Sequence, residues 1–354
     1  MPVIEVETVT LEDIREASSR IRPIAKRTPV MTSRGFNAAA GIEAFFKCEN
    51  LQTSGAFKIR GASNFVSRLS PEQLTRGVVS YSSGNHAQAV AMAARVWGSS
   101  ATLVMPLDSP RSKVEATRAQ GARIVTYDRL REDRTAIGRR IAEETGATLI
   151  PPFDHPWTIA GQGTVALELI EDIPGLDTLV VPVGGGGLIS GCSIAAKHLR
   201  PGIRVIGVEP ADANDTALSL AAGKRVEIPP PETIADGLRS PAPGELTFPI
   251  IQRNVERVVL VTDSEIREAM KFLLTRMKIL VEPSGAVVAA AALSGKLPAG
   301  LGRTGLVLSG GNVDLEMLGE LSRNGTPGTR REPVAAGPAL GSRTEEGRSG
   351  PARL

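Results

Sequence analysis

The stretch Thr178-Leu179-Val180-Val181-Pro182-Val183-Gly184-Gly185-Gly186-Gly187-Leu188-Ile189-Ser190-Gly191 passes from an apolar run into four glycines and then into helix-compatible residues. An apolar run without polar alternation describes a strand buried on both faces, the habit of parallel sheets covered by helices. Four consecutive glycines cost conformational entropy without evident packing gain, so a flexible turn is a poor account of them. Backbone N–H groups in such a loop can close around an anion, and the dipole of the following helix adds to the attraction. A phosphate cradle is the natural reading. The segment from Gly185 to Ser190 also nearly matches the dinucleotide fingerprint, and Glu209 ends the next strand, where a ribose-binding acid would stand. The third glycine of that fingerprint is missing.

The same alternation extends in both directions. Before the glycines, Glu43 to Cys48, Val78 to Ser82, Ala101 to Met105, Arg123 to Tyr127 and Thr148 to Ile150 read as strands. After them come Arg204 to Val208, Arg257 to Val261 and Leu306 to Leu308. Ala87 to Trp97, Ser112 to Gln120 and Glu132 to Thr145 have helical spacing. Thr10 caps a helix to about Ile21, and Thr262-Asp263-Ser264-Glu265 is a capping box opening a helix to about Lys278. Strands joined by helices predict an α/β fold with two largely parallel sheets flanked by helices. No internal repeat is visible. From 324 to 354 the chain is rich in Gly, Pro, Arg, Ser and Thr, which predicts a disordered tail.

Composition narrows the function classes. At 354 residues the chain suits two packed lobes better than one core. Its two cysteines, Cys48 and Cys192, and its three scattered histidines offer neither a disulfide framework nor a metal motif of the Cys/His kind. The net charge of +3 owes +2 to the tail, with five arginines against three glutamates, leaving about +1 for the body. That balance, with 3% aromatic residues, argues against a nucleic-acid surface. With no basic-then-apolar leader and no membrane-length apolar run, the expectation is a soluble, cytoplasmic protein without membrane partners.

Four further stretches carry chemistry. Ser54-Gly55-Ala56-Phe57-Lys58-Ile59-Arg60-Gly61-Ala62 sets a lysine at the start of a helix beside apolar neighbours. Desolvation and the positive end of the helix dipole both favour the neutral amine, which can attack a carbonyl and form a Schiff base. The plainer alternative is a lysine stem lying on apolar surface with its charge in water. Ser82-Ser83-Gly84-Asn85-His86 offers hydroxyls, an amide and helix N-terminal N–H groups suited to a carboxylate, or simply a helix cap. Leu308-Ser309-Gly310-Gly311-Asn312 ends a buried strand in a hydroxyl beside glycines. Glu209-Pro210-Ala211-Asp212-Ala213-Asn214-Asp215 could hold Mg²⁺ or Ca²⁺, although such a stretch alone is more often a solvated loop.

In this order, together with Ala160-Gly161-Gln162-Gly163-Thr164 and Glu282-Pro283-Ser284-Gly285, these stretches make the sequence resemble the serine/threonine dehydratases and serine racemases. These belong to the tryptophan-synthase-like pyridoxal-phosphate enzymes of fold type II. The resemblance runs from about residue 5 to residue 320. It implies that Lys58 binds pyridoxal 5′-phosphate covalently, Phe57 packs on the cofactor ring and Asn85 bonds its 3′-oxygen. Gly184, Gly185, Gly186, Gly187 and the Leu188 amide would hold the phosphate. Ser309 would face the pyridine nitrogen, and a neutral hydroxyl there makes the ring a milder electron sink, favouring elimination over transamination. Ser82, Ser83, Asn85 and His86 would surround the substrate carboxylate, with Arg134 on the substrate side and Phe153 near the substrate side chain. Ser83 matches the acid/base hydroxyl of racemases opposite the lysine. Glu209, the Ala213 carbonyl and Asp215 match a divalent-cation site of the racemase-like group, whereas Phe153 leans toward dehydratase.

What the resemblance implies as a whole is an ammonia-lyase that β-eliminates L-threonine or L-serine to a 2-oxo acid and ammonia. A serine racemase, or a dehydratase of 3-hydroxyaspartate or a phenylserine, is the alternative within the family. A nicotinamide-dependent oxidoreductase is the alternative outside it. The resemblance further implies a large cofactor domain from 1–67 and 156–320, a small α/β domain from 77–154, and a homodimer or higher homo-oligomer. Isoleucine feedback through an extra C-terminal domain is not expected.

Overall fold

The computed structural model describes residues 9–323 apart from 83 and 110. The tail expected to be disordered lies outside the described residues, as does Ser83.

Among the described residues ten strands form two sheets. They are β1 (Val30–Met31), β2 (Glu43–Cys48), β3 (Val78–Tyr81), β4 (Ala101–Pro106), β5 (Arg123–Tyr127), β6 (Thr148–Leu149), β7 (Thr178–Pro182), β8 (Arg204–Pro210), β9 (Arg257–Val261) and β10 (Arg303–Leu308). The larger sheet has the order β1-β2-β10-β7-β8-β9 and the smaller β5-β4-β3-β6. Every pairing is parallel except β1 with β2, where Val30 lies opposite Lys47. The fold class is therefore the α/β, two-sheet, largely parallel one expected.

Side-chain alternation explains the unbroken apolar runs of the larger sheet. Phe46, Val180, Ile206, Leu306 and Leu308 enter one buried cluster, with the helix Pro283–Leu293. Their neighbours Phe45, Val181, Val205 and Val307 enter another, on the opposite face, with the helices Pro156–Asp172 and Gly187–Leu199. Both faces are apolar because both are covered. The small sheet packs Val78, Leu103 and Met105 against the helices Lys58–Val66 and Asn85–Val96.

Close helix crossings account for the Ala160–Thr164 motif. A Cβ on Gly161 would strike the backbone of Arg60 and Gly61, and one on Gly191 would strike Ile159 and Gly163. The lysine-bearing helix and the helix after the glycine loop thus both rest directly on the backbone of Pro156–Asp172.

Boundaries differ from the sequence reading where local chemistry intervenes. The third helix of the small sheet begins at Arg134, because Asp133 caps it by accepting from the Thr135 N–H at 2.7 Å. β10 begins at Arg303, three residues before its apolar core, because pairing with β2 continues through Arg303 opposite Glu43. The helix opened by Thr262 does reach Met277, but its last turn, Leu273–Met277, is a π-helix closed by Lys278 at φ 62°. No helix among the described residues is long and apolar enough to cross a membrane.

Candidate active site

In open parallel sheets ligands bind beyond the carboxyl ends of the strands, and the candidate site obeys that rule. β2 leads toward Lys58, β3 to Ser82 and Asn85, β6 to Pro152 and Phe153, β7 to the glycines, and β10 to Ser309. One cavity between the two sheets collects Phe57, Lys58, Ser82, Asn85, His86, Arg134, Phe153, Gly184, Gly185, Gly186, Gly187, Leu188 and Ser309. All the described residues assigned to cofactor or substrate from the sequence are therefore brought together.

Lys58 is the first residue of its helix and is partly buried. Its Nζ donates to the Pro152 carbonyl at 2.9 Å and lies 5.2 Å from the centre of the Phe57 ring. Burial, aided by Arg134 and opposed by Glu282, pushes its pKa down to about 8. The stem-on-surface alternative is thereby excluded, since the amine points into the cavity.

The glycine loop turns sharply into its helix. Gly186 caps that helix at φ 92°, a left-handed conformation that favours glycine, and a Cβ there would strike Thr247 and Ile251. The ring of Phe153 lies against Gly185, and its backbone lies against Gly187, so no larger residue fits beneath it. The first turn beginning at Gly187 presents N–H groups that have no partner within the helix, at its positive end.

His86 is buried in the cavity wall, where burial and the charges of Lys58 and Arg134 push its pKa down to about 3. It is thus a neutral imidazole at ordinary pH. Ser309 is 3% exposed at the end of β10, its hydroxyl 3.5 Å from the Ser284 carbonyl. Arg134 lies 5.7 Å from the centre of the Tyr81 ring. Among the described residues it has no carboxylate in an ion pair. A primary amine, a helix N-terminus, an aromatic ring and a buried hydroxyl around one cavity fit an aldehyde-bearing, phosphorylated ring.

The family described as "Pyridoxal-phosphate dependent enzyme" matches residues 21–310. The chain belongs to that family. This pyridoxal-phosphate enzyme is 49% identical over 312 residues to the L-threo-3-hydroxyaspartate ammonia-lyase of Saccharomyces cerevisiae, covering 88% of this chain and 96% of the relative. It is 47% identical over 307 residues to the serine racemase of Schizosaccharomyces pombe, covering 87% and 95% respectively. The structure of maize serine racemase superposes with a TM-score of 0.86 at 47% identity, covering 89% of this chain and 97% of that one.

Glu209, Ala213 and Asp215 lie apart from the cavity and are fully buried. Glu209 accepts from the N–H groups of Thr216 and Ala217, at 3.1 and 3.0 Å, at the head of the helix Asp215–Ala222. It is turned away from the glycine loop's cavity, which removes the ribose-binding acid that a dinucleotide reading needs. Burial and the Asp215 charge push Glu209 up to about 8, and burial pushes Asp215 up to about 7. Both Asp215 carboxylate oxygens are buried without a hydrogen-bond partner. Buried carboxylates so placed fit a hard divalent cation. No group of three or more His, Cys, Asp or Glu side chains that could hold a metal occurs among the described residues, so two carboxylates and backbone oxygen would have to suffice.

The sequence reading assigned no role to Tyr81, Pro152, Asp236, Arg239, Glu282 or Ser284, all of which line the cavity. Glu282 and Ser284 had a usable signal in the Glu282-Pro283-Ser284-Gly285 motif, a carboxylate between an apolar run and a helix-opening proline.

Proposed function

We propose that this enzyme is an ammonia-lyase that converts L-serine or L-threonine to a 2-oxo acid and ammonia by β-elimination. Support comes above all from Lys58: a lysine amine held near neutrality inside the cavity that also contains the glycine loop, Ser309 and the Ser82–His86 edge. Bound pyridoxal phosphate supplies the electron sink that makes the substrate Cα–H acidic. Gly184 to Leu188 would hold its phosphate, Phe57 would cover its ring, the Asn85 side chain would bond its ring oxygen, and Ser309 would face the ring nitrogen. Ser82, the backbone N–H of Asn85 at the head of its helix and the neutral His86 hold the substrate carboxylate. The Lys58 amine takes the Cα proton, the β-hydroxyl departs with the bonding pair and receives that proton to leave as water, which returns Lys58 to the free amine, and the released enamine takes up water to give the 2-oxo acid and ammonia. Glu209, Asp215 and the Ala213 carbonyl would hold a divalent cation, whose charge would neutralise the two buried carboxylates at the segment after β8.

A second reading, an acidic β-hydroxy amino acid as substrate, has its own support. Arg134 reaches the cavity with no carboxylate in an ion pair among the described residues, and a 49% identical relative carries the name L-threo-3-hydroxyaspartate ammonia-lyase. Racemisation rests on Ser83 and on the likeness to serine racemases.

One panel separates these readings: L- and D-serine, L-threonine and L-threo-3-hydroxyaspartate, with and without a chelator, scoring 2-oxo acid and enantiomer. We expect 2-oxo acid from the L-substrates. If the acidic substrate is bound by Arg134, Arg134→Met lowers its kcat/KM by about 100-fold and that of L-serine far less. Equal losses on both substrates remove the acidic reading. Enantiomer exchange without 2-oxo acid overturns the lyase reading, and indifference of activity and stability to chelation overturns the cation.

A further inference from the structure

Three motifs converge on Asn85 from distant parts of the chain. The segment from Ser309 to Asn312 pairs with the loop before Lys58: Phe57 N–H donates to the Ser309 carbonyl at 3.0 Å, and Gly311 N–H to the Gly55 carbonyl at 2.8 Å. The Glu282 N–H donates to the Gly310 carbonyl at 3.0 Å, which fixes the head of the helix Pro283–Leu293 on the same segment. Glycines in these motifs make room for two side chains. A Cβ on Gly55 would meet the Asn312 carboxamide, and one on Gly310 would meet the Glu282 carboxylate.

Those two side chains grip Asn85 from its two ends. Asn312 Nδ2 donates to the Ser54 carbonyl at 2.8 Å and to Asn85 Oδ1 at 2.9 Å, while Asn85 Nδ2 donates to Glu282 Oε1 at 2.7 Å. The relay is anchored at one end by a backbone carbonyl, which can only accept, and ends at the other on the Glu282 carboxylate oxygen that accepts from Asn85. A carbonyl at Ser54 requires nitrogen from Asn312. That nitrogen then requires oxygen from Asn85, which turns the Asn85 nitrogen toward Glu282. Only one orientation of each amide satisfies all three bonds. Both hydrogens of Asn312 Nδ2 are consumed, whereas Asn85 Nδ2 retains one among the described residues.

We propose that Glu282 and Asn312 are positioning residues that lock the Asn85 carboxamide in the orientation whose remaining N–H serves the ring oxygen of the bound cofactor. The proposal deepens the assignment of Asn85 to that oxygen and rests on it. Glu282 is 4% exposed, so its charge also acts on Lys58, in the direction that favours the protonated nitrogen.

The test is an absorbance titration of the cofactor-loaded protein, whose lysine-bound cofactor absorbs at about 410 nm when its nitrogen is protonated. Glu282→Gln keeps the shape but removes the charge and the carboxylate end. It should lower the pH midpoint of that band by about one unit. Asn312→Ala removes no charge yet frees the Asn85 amide to turn. It too should move the midpoint, by at least about half a unit, and reduce kcat more than KM. Asn312→Ser serves in its place if the alanine variant does not fold. Wild-type protein that takes up no yellow cofactor refutes the cofactor assignment itself. A normal wild-type band with unmoved midpoints in both variants refutes the relay alone, and so does a shift confined to either variant.

Discussion

In the proposed reaction Lys58 first attacks the cofactor as a free amine and later accepts a proton from substrate, and its surroundings set the balance between those tasks. Burial and then Arg134 lower its pKa to about 8, while Glu282 pulls the other way. The neutral form is the one that attacks a carbonyl, so a lowered pKa moves reactivity to lower pH. Capture of pyridoxal phosphate by cofactor-free protein, followed by absorbance, should therefore accelerate with pH and level off just above about 8. An ordinary lysine would keep accelerating toward 10.5. Arg134→Met should move the plateau to higher pH, because the removed charge is one that lowers the pKa. A wild-type plateau near 10.5 would mean that Lys58 is solvated.

At the scale of elements, the helix Lys58–Val66 is held by charge as much as by apolar packing. Arg60 is wholly buried and donates to Glu49 Oε2 at 2.8 Å, Glu168 Oε1 at 2.7 Å and Thr164 Oγ1 at 3.1 Å. Lys47 completes the set by pairing with Glu168 at 2.6 Å. Burial alone opposes the charge on Arg60, but the two carboxylates hold its pKa above the ordinary arginine value. Removing one member of such a set strands the others: Arg60→Met should destabilise the protein by about 3–5 kcal/mol in chemical unfolding. A loss below about 1 kcal/mol would show that the set relaxes or hydrates freely. This network also shows where sequence reading stops. Lys58, the glycine loop and Ser309 were legible because each sits where a buried strand meets a turn or helix, and local pattern marks such junctions. Arg60 was not, since a charged residue two places from a lysine looks like solvated surface until Glu49 and Glu168 are folded around it. The edge strand β1 is two residues long and has no periodicity to detect. Asn312 and Asn85 are 227 positions apart, and their hydrogen bond leaves no local trace.

For the molecule as a whole, the decisive feature is that neither sheet makes the cavity alone. The larger sheet brings the glycine loop and Ser309, the smaller brings Ser82, Asn85 and Arg134, and Lys58 lies between them. We propose the boundaries 1–67 with 156–320, and 77–154, as a division into two domains, so that the relative position of the two sheets would be part of the geometry of the site. The most direct test of the account is the release of 2-oxo acid and ammonia from L-serine by cofactor-loaded wild-type protein and by Lys58→Ala, measured side by side. The wild type should release the two products in equal amounts, and the variant should release neither above the rate of free cofactor. Undiminished release by Lys58→Ala, or none from the wild type with any L-β-hydroxy amino acid, would contradict it.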